Sequence, residues 1–245
     1  MIAFDKFSMR DLRQGIFLFY IATNFMKHWL FSSLILLAAY MPQKKKRIIF
    51  FGDSITQLGA EPGGYINRID SMCKREKKSD QFEFIGAGIS GNKVYDLYLR
   101  LDDDVLAKNP DVVVIYIGVN DVWHKVSAGT GTDADKFEIF YSSILRKLRE
   151  KNIKAVLCTP AVIGERTDFT NQQDGDMNRY ANIVRDLCQK NNLPLVDLRQ
   201  KFMEYNKQHN RDNKEAGILT RDRVHLNDKG NQVVADEMWK VLKSL

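Results

Sequence analysis

From Arg47 onward, short apolar runs alternate with longer segments whose apolar residues recur at helical spacing. The runs fall at residues 48–51, 82–85, 112–117, 155–158 and 195–198. Between them, segment 135–151 places Phe137, Phe140, Tyr141, Ile144, Leu145 and Leu148 on one face, and segment 176–190 does the same with Met177, Tyr180, Ala181, Val184, Leu187 and Cys188. A last helix follows the cap signal Asn227-Asp228 and carries Val233, Val234, Val241 and Leu242. Strands alternating with helices predict an α/β class with a parallel sheet, and five runs suffice for a small doubly wound one. In such sheets a site forms beyond the carboxyl ends of the strands, so polar residues there are the ones to weigh.

The first 43 residues follow a different pattern. Residues 29–40 are an apolar run of the length of a secretory h-region, preceded by Met26, Lys27 and His28, with Ala38, Ala39 and Met41 at its end as a small-residue cleavage region. An upstream apolar patch at 15–22 can join it into one membrane anchor broken by Lys27. The expectation is that translation begins at Met26, that residues 1–25 are an upstream extension, and that the protein is exported, periplasmic or secreted. No cysteine lies in this segment, so no lipid-attachment site is expected. The remaining residues, 44–245, fit one domain with a single core.

Composition narrows the functional classes. Hydrophobic residues at 44% and charged residues at 28% match a folded globular chain. The net charge of +6 is spread among 31 acidic residues, outside short clusters at 44–47 and 74–78, and lacks the basic stripe with interleaved aromatics of a nucleic-acid surface. Both clusters read as solvated surface, the first as a juxtamembrane flank. Cys73, Cys158 and Cys188 are far apart and have no histidine pair nearby, so no zinc ligand set can be written. Cys158 and Cys188 read as small buried residues.

Polar motifs follow the strand ends in order. The first run leads into Gly52-Asp53-Ser54-Ile55-Thr56, which places a serine at a strand-to-helix turn where backbone N–H groups point outward. The second leads into a loop with Gly86, Gly88 and Gly91, suited to bare N–H donors, and the third into Gly118-Val119-Asn120-Asp121, whose amide can also donate. A nucleophilic serine needs a base. His28 lies in the leader, His209 in a polar stretch that reads as solvated surface, and His124 has no acid placed to orient it. His225 in Asp222-Arg223-Val224-His225 remains, with Asp222 three residues away to hold its tautomer. Each motif alone also fits a cap, a tight turn or an Asx turn; their order at successive strand ends is what points to catalysis.

Together these four blocks resemble the SGNH hydrolase superfamily, the GDSL-like lipases and esterases, across essentially all of residues 47–245. The resemblance implies a three-layer α/β/α flavodoxin-like fold with a five-stranded parallel sheet, cofactor-free serine ester hydrolysis, and no metal. It carries Ser54 over as nucleophile and first oxyanion donor, Gly91 as second donor with Gly88 as competitor, Asn120 as third, and Asp222 with His225 as the rest of the triad. Gly86 stands where many members have asparagine, and Ile55 where the short name implies leucine. Asp53, Asp121, Trp123 and His124 are candidate substrate-binding residues; Tyr65, Trp123 and His124 can stack on or bond to a sugar. Exported members often deacetylate carbohydrates, so an O-acetyl saccharide ester is the expected substrate. The alternatives are lysophospholipase, acyl thioesterase, acyltransferase, or a non-catalytic glycan- or lipid-binding module. Mass spectrometry of the natural N-terminus should find no peptide from residues 1–25; finding one would overturn the assigned start.

Overall fold

Five parallel strands hold the centre of the unit Lys45–Leu245 in the computed structural model, ordered β2-β1-β3-β4-β5. They are β1 (Lys46–Gly52), β2 (Phe82–Gly88), β3 (Val112–Tyr116), β4 (Lys154–Cys158) and β5 (Leu195–Val196). The structure describes Phe19 and residues 44–245. The expectations about a start at Met26, a leader and an anchor lie outside these residues. Among the described residues no helix is long and apolar enough to cross a membrane.

The helices are α1 (Ser54–Gly59), α2 (Tyr65–Arg75), α3 (Val94–Asp104), α4 (Val119–Ser127), α5 (Ala134–Glu150), α6 (Asp174–Asn191), α7 (Leu198–His209) and α8 (Asp228–Leu242). Consecutive residues of β1 from Ile48 to Phe51 are wholly buried, as are those of β3. Side chains alternate between faces along a strand, so consecutive burial means that helices cover the sheet on both sides. One helical group pairs α2 with α8; the other runs from α3 to α5 to α6. The buried stripes follow the sequence pattern, with Phe137, Tyr141, Ile144, Leu145 and Leu148 buried in α5 and Met177, Tyr180, Ala181, Val184, Leu187 and Cys188 in α6, except that Phe140 is only half-buried and packs against Tyr95 and Tyr98. This is the three-layer flavodoxin-like architecture. The Asn227 side chain caps α8 by accepting from the Gly230 N–H at 2.9 Å.

Three local expectations change. Lys46 and Arg47 belong to β1, where Arg47 donates to Glu83 and to the Lys108 carbonyl, so the first basic cluster is partly woven into the sheet and is not all solvated surface. The fifth run stops at Val196 because Asp197 accepts from the Gln200 N–H at 3.1 Å and starts α7, which takes Leu198 into a helix. The polar stretch after residue 205 is not all solvated either: Asn206 and Asn210 are buried, although His209 is exposed. All three cysteines are free and buried.

At the carboxyl edge the backbone is packed too closely for side chains. The last residues of β1 and β2, Gly52 and Gly88, are in register. A Cβ on Gly88 would lie 2.1 Å from the Gln57 nitrogen and 2.6 Å from the Thr56 carbonyl carbon, both backbone atoms of α1. Gly88→Ala must therefore push α1 off the sheet, and it should lower unfolding stability by about 3 kcal/mol, the upper part of the usual overpacking range, in a urea titration. An unchanged midpoint would contradict this packing.

Candidate active site

Ser54 is the first residue of α1, just past the buried end of β1, and is 8% exposed. The carboxylate of Asp53 caps the helix by accepting from the Ile55 N–H at 2.9 Å. The first N–H groups of a helix have no acceptor within it, so those at Ser54 point outward. The Ser54 Oγ lies 2.9 Å from His225 Nε2, and His225 Nδ1 lies 2.7 Å from Asp222 Oδ2. With Nδ1–H donated to the carboxylate, the Nε2 lone pair faces the hydroxyl.

Asp222 also shapes its own turn. Its other oxygen accepts from the His225 N–H at 2.7 Å and the Val224 N–H at 3.2 Å, while Arg223 between them takes a positive φ of 83°. Burial alone would raise the Asp222 pKa; the His225 N–H and ring, with the Val224 N–H, hold it below the usual carboxylate range.

A second group of donors stands at the neighbouring strand ends. Gly91 lies in the turn between β2 and α3 at φ +79°, with open space where a Cβ would stand. Gly88, the competing glycine, is inside β2 against α1. Asn120 is buried at the start of α4; its Nδ2 gives one hydrogen to the Asn92 carbonyl at 3.1 Å and keeps a second. Asp121 accepts from the Val94 N–H at 3.1 Å, so α4 holds the Gly91 turn at two points.

Two of the four residues expected to bind substrate do not line an open surface. Asp53 and Asp121 are 2% and 0% exposed, and both carboxylates serve backbone N–H groups instead. Tyr65 is likewise fully buried, its hydroxyl donating to Thr56 Oγ1 at 3.0 Å, so it is a core residue and not a sugar platform. Trp123 and His124 are half-buried on α4. Burial, then the charge of Lys93, pushes the His124 imidazole pKa down. His209 stacks on Tyr205 on the surface, away from a catalytic partner.

Motif reading missed Arg100 and Lys93. From α3, Arg100 Nη2 donates to the Gly52 and Ala87 carbonyls at 2.9 Å each and Nε to Asn92 Oδ1 at 2.7 Å, with the guanidinium 4.4 Å from the Phe51 ring centroid. It thus joins the ends of β1 and β2 to the Gly91 turn. Lys93, which is buried, donates to the Gly91 carbonyl at 3.1 Å. A charged residue on a helix gives no sign in sequence of where its head group ends. Among the described residues no group of three His, Cys, Asp or Glu side chains is placed to hold a metal ion.

A serine, an imidazole and a carboxylate in line at the carboxyl edge of a five-stranded parallel sheet are the equipment of an α/β ester hydrolase of the SGNH type. The chain belongs to the GDSL-like Lipase/Acylhydrolase family, whose sequence model matches residues 50–233. It is similar to a solved acetyl xylan esterase, with 61% identity and a TM-score of 0.79, covering 80% of this chain and 99% of that one. It is 28% identical over 208 residues to an acetylxylan esterase of Geobacillus stearothermophilus, covering 78% of this chain and 90% of that protein. An uncharacterized lipoprotein of Bacillus subtilis is 23% identical over 231 residues, 85% of this chain and 95% of its own. The chain is an ester hydrolase.

The buried carboxyls beneath the site make stability depend on pH. Burial, reinforced by the charge of Asp121, pushes Asp53 up to about 7, and burial pushes Asp121 up to about 6. The folded state then binds more protons than the unfolded chain from about pH 4 to 7, so this stabilisation is full below that window and lost as pH rises through it. The melting temperature of the native protein should fall relative to that of Asp53→Asn by a few degrees between pH 5 and 8, at roughly 2–4 °C per kcal/mol for a chain of this size. A difference that stays constant with pH would show that Asp53 does not titrate there.

Proposed function

We propose that Ser54, His225 and Asp222 form a catalytic triad that removes O-acetyl groups from an acetylated saccharide of the xylan type, outside the cytoplasm. The observation that carries the chemistry is the unbroken line from Ser54 Oγ to Nε2 at 2.9 Å and from Nδ1 to Asp222 at 2.7 Å. His225 takes the serine proton as Oγ attacks the ester carbonyl, and the tetrahedral oxyanion receives the Ser54 N–H, the Gly91 N–H and the free Asn120 Nδ2–H. Collapse breaks the acyl C–O bond as His225 gives its proton to the departing sugar oxygen, which leaves as the hydroxyl, and an acetyl-serine remains. A water molecule, deprotonated by the same base, then releases acetate.

The acetylated saccharide is supported by the 61% identity to an acetyl xylan esterase and by the Geobacillus relative of the same activity. Trp123 and His124, half-buried on the same helix as Asn120, are the groups proposed to meet the sugar. Export is supported by the apolar run at 29–40 and by the lipoprotein relative.

Purified protein should release acetate from acetylated xylan oligosaccharides and cleave acetyl esters far faster than long-chain acyl esters. Preference for long chains would instead indicate a lysophospholipase or thioesterase. Ser54→Ala should abolish turnover with the fold intact, and Asn120→Ala should cost about 10²–10³ in kcat, the usual loss for one oxyanion donor. Full activity in Ser54→Ala would overturn the triad.

A further inference from the structure

Glu165 follows β4, far in sequence from the serine and from the base, yet its carboxylate is almost entirely buried, at 1% exposure. It faces a row of backbone donors: Oε1 accepts from the N–H groups of Leu219 at 2.6 Å and Thr220 at 2.9 Å, and Oε2 from that of Ile218 at 2.8 Å. These three residues form the stem of the loop that carries Asp222 and His225. Above them the loop closes on itself, with the Arg221 N–H donating to the His225 carbonyl at 2.8 Å and the Asn227 N–H to the Leu219 carbonyl at 3.0 Å. Its far side is held from the same β4 segment, since the Gly164 N–H donates to the carbonyl of Arg223, the residue with positive φ between the acid and the base.

We infer that Glu165 is a positioning residue for the base: its buried carboxylate gathers the Ile218, Leu219 and Thr220 amides and so fixes the loop on which Asp222 and His225 meet Ser54. This rests on the triad assignment above. Three convergent N–H groups need one acceptor with two anionic oxygens, and a carboxylate supplies both without a donor of its own. Glutamine has the same shape, but its amide N–H₂ would confront at least one of these N–H groups and force the stem to move. An ångström of displacement at a catalytic group costs about 10²-fold in rate.

The test compares native protein, Ser54→Ala, Glu165→Gln and Glu165→Asp on an acetyl ester, each assayed well below its own melting transition and corrected for folded fraction. Glu165→Gln should lower kcat by about 10- to 100-fold while KM stays within about twofold, and Glu165→Asp, which keeps the charge but withdraws it, should fall between. A purely structural role would lower the melting temperature and leave kcat per folded molecule unchanged; that result overturns the inference while native activity and an inactive Ser54→Ala leave the triad standing. Full activity in Ser54→Ala would overturn both together. If neither Glu165 variant folds, hydrogen exchange on the native protein decides. Protection of the Ile218, Leu219 and Thr220 amides equal to that of the core strands supports the clamp, and exchange as fast as an open turn overturns it.

Discussion

The close approach of β1, β2 and α1 at the carboxyl edge of the sheet is the constraint on which the rest of the molecule depends. β1 is buried on both faces and ends where only glycine fits, at Gly52, whose Cβ would meet the Tyr116 carbonyl at 2.4 Å, and at its neighbour Gly88. The chain must therefore leave β1 through a sharp turn directly into α1. That turn fixes Ser54 on a rigid base with its N–H outward, and every other group of the site has to be brought to it.

Two ionic side chains, the part-buried Arg100 and the buried Glu165, hold the partners in place. Arg100 ties both strand ends to Asn92, next to Gly91, and Asn120 and Asp121 tie the same turn to α4. Glu165 gathers the stem beneath Asp222 and His225. In each instance a charged group bonds to backbone atoms of segments distant in sequence, Arg100 being paired in addition with the Asp104 carboxylate, and such bonds make a desolvated charge tolerable and a loop position unique. The cost shows beneath the site, where the Tyr116 hydroxyl is buried without a hydrogen-bond partner among the described residues and the Asp53 and Asp121 carboxyls are desolvated. Desolvated carboxyls there lean toward their neutral form, which links the stability of this part of the fold to pH.

How much of this could be read from the sequence depends on the range of the interaction. The five strands and the stripes of α5 and α6 were legible because burial imposes a period on the chain itself. The line Ser54, His225 and Asp222 was legible through elimination among four histidines and a short Asp-x-x-His spacing. Tyr65 and the carboxylates of Asp53 and Asp121 were misplaced because a polar residue beside a motif looks the same whether it faces solvent or caps a buried N–H. Arg100, Lys93 and Glu165 were invisible: the contacts by which they hold the site go largely to backbone carbonyls and amides, which carry no residue identity and leave no pattern in the chain.

The central claim is that Ser54 is the residue that becomes acylated. Incubation of the native protein with a fluorophosphonate, followed by proteolysis and mass spectrometry, tests it most directly. A single stoichiometric adduct on Ser54, absent when His225 is replaced by alanine, is the result expected from the 2.9 Å contact between the two side chains. An adduct on another serine, or labelling of Ser54 that is indifferent to His225, would contradict it.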